Sequence, residues 1–307
     1  MKKSRIVSLL PSSTEIICAL GLADRLVGRS HECDFPPAVR RLPACTTPKL
    51  DPNAASGEID REVKSLLRNA LSIYHVHAQQ LYDLRPDLVL TQSQCAVCAV
   101  SLPEVERAVG GWIESAPRIL SLAPNRLADL WNDILRVAEA VGVQERGQEL
   151  VSHLRTRVEV IAAKARAIGD RPSVACIEWL EPIMAAGNWV PEMVELAGGL
   201  NLFGAAGEHS PWLDPEALRQ RDPAIIVALP CGFDLVRTRR EMPVLTRMTG
   251  WDNLRAVKNH RVYLTDGSQY FNRPGPRLVE SLEILAEIIQ PDFFHFNHKG
   301  VGWEKFP

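Results

Sequence analysis

Ile6-Val7-Ser8-Leu9-Leu10 runs directly into Pro11-Ser12-Ser13-Thr14-Glu15, and the fold is read from that junction. Five residues with four apolar members, too short for a helix, read as a buried strand. Ser12-Ser13-Thr14-Glu15 has the spacing of a capping box, so a helix is expected to start there. Ile16, Ile17 and Leu20 would form one face of it, and Gly21 suits its C-terminal cap. Outward from this unit the alternation continues, with strands expected at Leu26–Gly28, at Asp87–Thr91 after Pro86, and at Arg118–Leu122. Strands separated by helices predict a parallel α/β sheet.

Two helical stretches follow. Leu127, Leu130, Ile134, Val137 and Val141 recur at steps of three and four, with Gly142 as the stop. Leu150, Leu154, Val158 and Ile161 continue the periodicity to about Ala167, before Gly169-Asp170-Arg171-Pro172. Helical from Gln144, that second stretch would span about 36 Å at 1.5 Å per residue. The α/β pattern then restarts: strands at Val174–Trp179, Ala224–Leu229 and Val262–Leu264, and helices at Pro191–Leu196, from Asp214-Pro215-Glu216, and at Leu278–Ile289. The expected organisation is an N-terminal α/β lobe over 1–125, a helical linker over 126–170 and a C-terminal α/β lobe over 171–307. The segment from Asp51 to His77 breaks the alternation and is read as an insertion carrying a helix at Ile59–Leu71.

Composition narrows the function classes. The 307 residues exceed one ordinary domain, and 46% hydrophobic with 23% charged residues matches soluble globular chains. A net charge of −2 with scattered Lys and Arg gives no electrostatic case for nucleic acid. No run approaches the length of a membrane span, so no membrane insertion is expected. The two lysines at the start precede an apolar run too short for an export signal, and Pro11 interrupts it. Seven cysteines, an odd number spread along the chain, do not form a disulfide framework. These features together predict a cytoplasmic protein.

No glycine-spaced phosphate loop, serine elbow or His-Glu-x-x-His stretch is present, so the common nucleotide-binding and hydrolytic chemistries are not expected. Cys95-x-x-Cys98 has the spacing for two thiolates on one metal or for a redox pair. A closed zinc site needs further ligands, which His31 and Cys33 or His75 and His77 could supply only through the fold; two small side chains in a loop that faces the ligand cleft is the plainer account, so Cys95 and Cys98 are expected among the ligand-binding residues without forming a zinc site of their own. No structural metal is therefore expected. His31 lies in Ser30-His31-Glu32-Cys33 directly after a strand, where open parallel sheets place their ligand-lining loops. Trp179, Trp212, Tyr270 and Phe271 fall after strands or in loops of the second half, and such residues offer flat apolar faces to a large planar ligand. Core packing would explain the same aromatics. Trp189, which directly precedes a helix, is the weaker candidate.

These residues carry a resemblance. Ile6 to Glu15, Gly21, Val27-Gly28, Asp34-Phe35-Pro36, Leu84-Arg85-Pro86-Asp87-Leu88-Val89 and Ser210-Pro211-Trp212-Leu213-Asp214-Pro215-Glu216 are similar to segments of the cobalamin-binding proteins of ABC importers. The similarity covers most of the chain except 51–77 and the last fifteen or so residues. It implies two α/β lobes with mostly parallel sheets, joined by a single long helix, with the ligand in a cleft between them. It also implies a non-enzymatic receptor that holds cobalamin as ligand, not as catalytic cofactor, with an ABC permease as partner. On matching positions Trp179 and Trp212 would flank a corrinoid and Asp266 to Phe271 would form a late loop over it. Glu104 and Glu216 would dock onto the permease. Gln92 to Cys98 departs from the family, which usually carries an aromatic there, so haem, an iron chelate or a cysteine-held metal remain alternatives.

Overall fold

The computed structural model describes residues 4–68, 73–93, 102–110 and 116–307. These separate into two α/β units: Met1–Ala54, Glu58–Pro124 and Ala128–Ser152 form the first, and Ala55–Gly57, Asn125–Leu127 and His153–Pro307 the second.

In the first unit the strands are β1 (Ile6–Ser8), β2 (Leu26–Arg29), β3 (Thr46–Pro48), β4 (Tyr74–Val76), β5 (Leu88–Gln92) and β6 (Arg118–Leu122). The main sheet has the order β2-β1-β5-β6, with every pairing parallel. The helices are α1 (Pro11–Ala19), α2 (Ser56–Arg68), α3 (Ala78–Leu84), α4 (Leu102–Val109) and α5 (Leu127–Ala140). The next helix, α6 (Gln144–Ile168), begins in the first unit and ends in the second. Val7, Leu9 and Val89 of the sheet pack with Leu81 of α3, Val105 of α4 and Ile73 and Tyr74 of the second strand pair. Burying each such aliphatic side chain contributes about 1.5–3 kcal/mol.

Two expectations about this unit are corrected. The capping box at Ser12 does not form: α1 starts at Pro11, with extended Leu10 as an N-cap that makes no side-chain bond. Proline takes the first helical position readily because its missing N–H would have no helical partner there. The hydroxyls turn instead to the end of β1, where Ser13 Oγ lies 2.6 Å from Ser8 Oγ and Thr14 Oγ1 donates to Ser8 Oγ at 2.8 Å. The segment 51–77 is also more integrated than a plain insertion. Its helix α2 starts at Ser56, and β4 pairs antiparallel with β3, setting Thr46 opposite Val76 and Thr47 opposite His75. Val63 and Leu66 of α2 pack against the core. Gly21, at φ 74°, ends α1 in the left-handed region that glycine occupies without a Cβ penalty.

The second unit holds β7 (Ser173–Trp179), β8 (Met184–Ala185), β9 (Leu200–Asn201), β10 (Ile225–Ala228), β11 (Val262–Thr265) and β12 (Trp303–Lys305). The sheet order is β12-β11-β10-β7-β8, with β9 also on β7; β8 and β12 run antiparallel at the two edges and the remaining pairings are parallel. Its helices are α7 (Val190–Leu196), α8 (Pro215–Arg221), α9 (Leu235–Glu241), α10 (Pro243–Thr246), α11 (Arg255–Lys258) and α12 (Leu278–Ile289). Every residue of β10 is buried, as expected of a central parallel strand covered on both faces. Asp214 caps α8 by accepting from the Glu216 amide at 2.9 Å, with Pro215 in the first helical position. Among the described residues no helix is long and apolar enough to cross a membrane.

Candidate ligand-binding surfaces

In the second unit the ladder itself aligns the aromatic candidates. A register shift after Ile177 sets Trp179 opposite Met184, and Met184 in turn bridges Trp212 in antiparallel sense. The Ala185 amide donates to the Pro211 carbonyl and the Leu213 amide to the Ile183 carbonyl, both at 2.9 Å, so Trp212 is held as if on a further strand. Residues directly opposite each other across a ladder point to the same side, about 5 Å apart. Along this pairing Trp179, Met184 and Trp212 follow one another as a row, two indole residues with a thioether residue between them, and the step from Trp179 to Met184 crosses the irregularity in the ladder. Trp179 and Met184 are half-buried, whereas Trp212 is 57% exposed.

The row is supported from beneath. Phe233, after the carboxyl end of β10, meets Trp179 with ring centroids 5.4 Å apart. The Arg237 guanidinium lies 3.7 Å from the Phe233 ring centre, a cation–π contact that keeps a charge beside this apolar surface. Trp179 Nε1 donates to the Glu181 carbonyl at 3.0 Å, which fixes the ring's rotation. Sequence reading missed Met184, Phe233 and Arg237. The rule that selected His31, a loop after the carboxyl end of a parallel strand, would have selected Phe233 in Pro230-Cys231-Gly232-Phe233 as well.

Asp266 to Phe271 forms a tight turn beyond β11. Asp266 Oδ1 accepts from the Gln269 amide at 2.8 Å, and the Ser268 amide donates to the Phe233 carbonyl at 3.0 Å, so the turn sits against the same support. Burial pushes the Asp266 carboxyl above the usual range, opposed by its bond from Gln269 and by Arg273. Two residues expected to face a ligand from here do not present their rings. Phe271 is 0% exposed and belongs to the core, and Tyr270 is buried beneath the Arg277 guanidinium, 4.5 Å from its ring centre. Ser268, Gln269 and Asn272 are the residues the turn leaves partly accessible. Trp189 is 6% exposed and donates from Nε1 to the Phe271 carbonyl at 2.8 Å, a structural role.

In the first unit His31 follows the carboxyl end of β2 and is half-buried. Its Nδ1 lies 2.8 Å from Thr46 Oγ1 and its ring is 5.6 Å from that of Tyr74. Burial, helped by the charges of Arg29 and His77, pushes the imidazole from 6.5 down to about 4, so the ring is neutral at pH 7. A depressed histidine means that the unfolded chain takes up the proton first. Stability is therefore expected to fall as pH drops from 6.5 toward 4. The loss is less than the about 3 kcal/mol that the full shift would carry, because solvent screens a half-exposed ring. Urea unfolding midpoints measured across that window should slope less in His31→Asn than in the wild type. Equal slopes would assign the effect to another group.

Glu104 lies in the first turn of α4 and is half-buried; Glu216 lies in the first turn of α8, exposed and paired with Arg219. Cys95 and Cys98 lie outside the described residues. Among the described residues no cluster of three or more His, Cys, Asp or Glu is placed to hold a metal ion.

Comparison with known proteins matches residues 6–268 to the family described as periplasmic binding protein. An uncharacterized ABC transporter substrate-binding lipoprotein of Bacillus subtilis is 26% identical over 296 residues, covering 94% of this chain and 81% of the relative. A vitamin B12-binding protein of Vibrio parahaemolyticus is 22% identical over 294 residues, covering 92% of this chain and 88% of its own. Among solved structures, a periplasmic heme-binding protein from Pseudomonas aeruginosa superposes with a TM-score of 0.71 at 21% identity over 94% of each chain. At that identity the likeness establishes a shared fold and nothing about ligand.

Proposed function

The chain belongs to the periplasmic binding protein family, and from that premise we propose that it binds a corrinoid, with cobalamin the first candidate, reversibly and without making or breaking bonds. The observation that carries this reading is the row Trp179–Met184–Trp212, an apolar surface built on the ladder of the second unit. Aromatic and thioether groups gain contact with a flat macrocycle at small conformational cost, because an indole has only two side-chain torsions. The vitamin B12-binding relatives agree with it. We further propose that the protein delivers its ligand to an ABC permease, with Glu104 and Glu216 as docking residues.

A second reading, haem or another iron chelate, has its own support. His31 follows the carboxyl end of β2 and is held neutral at physiological pH, the state in which an imidazole can ligate a metal. One experiment separates the two. Titration calorimetry with cyanocobalamin and hydroxocobalamin is expected to show one site per chain with micromolar or tighter affinity, about −8 kcal/mol or better. Haemin titrated in parallel, followed by its visible absorbance, should bind more weakly. No heat and no spectral shift with either corrinoid at high-micromolar protein would sink the proposal; a tight haemin titration would then favour the second reading.

A further inference from the structure

Beyond α12 the chain neither ends nor trails away. Glu283 and Glu287, one turn apart and both buried on α12, hold the residues that follow. Glu287 Oε1 accepts from the Asn297 amide at 2.7 Å and from the Phe296 amide, while its Oε2 accepts from Trp303 Nε1 at 2.6 Å. Glu283 Oε2 lies 2.9 Å from His298 Nε2, and its Oε1 accepts from Arg157 at 2.6 Å. Leaving a buried carboxylate without such donors would be costly, so the two glutamates commit the tail to one path. That path ends in β12, which covers the edge of β11 and sets Thr265 opposite Trp303.

The same tail touches the turn at Asp266–Phe271 in three ways. The Asp266 amide donates to the Gly302 carbonyl at 2.9 Å. The His298 ring stands edge-on to Tyr270, with centroids 6.1 Å apart. Gly302 itself is packed so closely that a Cβ there would lie 3.3 Å from Tyr270 Cε2 and 2.6 Å from Ile284 Cδ1. From the turn, the bond between the Ser268 amide and the Phe233 carbonyl leads to the ring that supports Trp179.

We propose that the C-terminal tail, residues 292–306, is a positioning element for the ligand surface of the second unit, setting the turn at 266–271 against Phe233 and so the orientation of the Trp179 row. Gly302 and His298 are its two points of action. The link from this placement to ligand affinity rests on the reading that the Trp179 row contacts the ligand. The placement itself does not.

The test uses the full chain with Gly302→Ala, His298→Ala and His298→Gln, the last retaining a donor toward Glu283. Amide hydrogen exchange is expected to quicken by about tenfold or more at Gln269 and Tyr270 in Gly302→Ala and His298→Ala, while amides of β7 and β10 keep their protection. His298→Gln, which keeps the bond to Glu283 that anchors the tail, should restore slow exchange even without the ring. Cyanocobalamin affinity should fall in the first two variants by about fivefold or more and recover in the third, an order expected of residues that act on the ligand through others. Unchanged exchange in the turn would overturn the proposal, as would faster exchange with unchanged affinity, which would reduce the tail to a structural edge. If the wild type binds no corrinoid but exchange follows the expected order, the corrinoid reading falls and the placement of the turn by the tail stands. Should Gly302→Ala fail to fold, the two His298 variants decide the matter alone.

Discussion

Trp212→Ala is expected to weaken cyanocobalamin binding by about 30- to 1000-fold, the equivalent of about 2–4 kcal/mol for removing a large aromatic anchor from a binding surface. The same substitution should change folding stability little, because Trp212 is 57% exposed and the ladder bonds beside it, from Ala185 to Pro211 and from Leu213 to Ile183, are made by backbone. Trp189→Ala is expected to do the reverse. That indole is buried, and removing it leaves a cavity and deprives the Phe271 carbonyl of its donor, together worth about 3–5 kcal/mol of stability. At a temperature where it remains folded, Trp189→Ala should lose much less affinity than Trp212→Ala, because it reaches the ligand surface only through the turn that its bond to Phe271 holds. The paired measurement is therefore calorimetric affinity against urea midpoint for both variants. Equal falls in affinity, or a stability loss confined to Trp212→Ala, would mean that the ligand surface has been placed on the wrong residues.

The double substitution Glu104→Ala, Glu216→Ala is expected to abolish association with a cognate ABC permease while leaving cyanocobalamin affinity unchanged. Each carboxylate stands in the first turn of its helix, where it complements the positive end of the helix by about 0.3–1 kcal/mol. Glu216 has further neighbours: it pairs with Arg219 and accepts from Gln220 at 3.0 Å. A purely local role would therefore show as a small loss of stability with association intact. Docking would show as abolished association with stability nearly unchanged, since exposed ion pairs contribute little to folding. Pull-down with permease in detergent, run beside thermal melts of the same preparations, separates the two. Association retained by the double variant would remove the docking assignment.

The longest helices and the parallel strands were the legible elements, and strand β6 has the bounds expected, Arg118–Leu122. The periodicity of Leu127, Leu130, Ile134 and Val137 became α5, and Gly142 follows it at φ 74° as a left-handed stop. The stretch from Gln144 is one helix to Ile168, and Leu278–Ile289 is a helix with the bounds expected. Such elements are readable because their signal lies within one or two turns of chain. The pair β3 and β4 was not, since its register joins residues about thirty apart and neither strand is long enough to show alternation. Nor was β12, whose residues Trp303-Glu304-Lys305 carry no strand pattern of their own.

The sequence by itself determined the fold class and the residue types from which a ligand surface could be made. Local periodicity specifies helices and buried strands, and loops after parallel strands are the default place for ligands. Tertiary structure alone decided which aromatics are available. Trp179, Trp212, Tyr270 and Phe271 look alike in sequence, all apolar rings after strands. Yet Trp212 is exposed, on a segment bridged through Met184 to the edge of the sheet, while Phe271 is buried in the core and Tyr270 lies between the Arg277 guanidinium and the His298 ring of the tail. Exposure is a property of what packs against a side chain, and those partners come from positions tens of residues away. No local pattern records them.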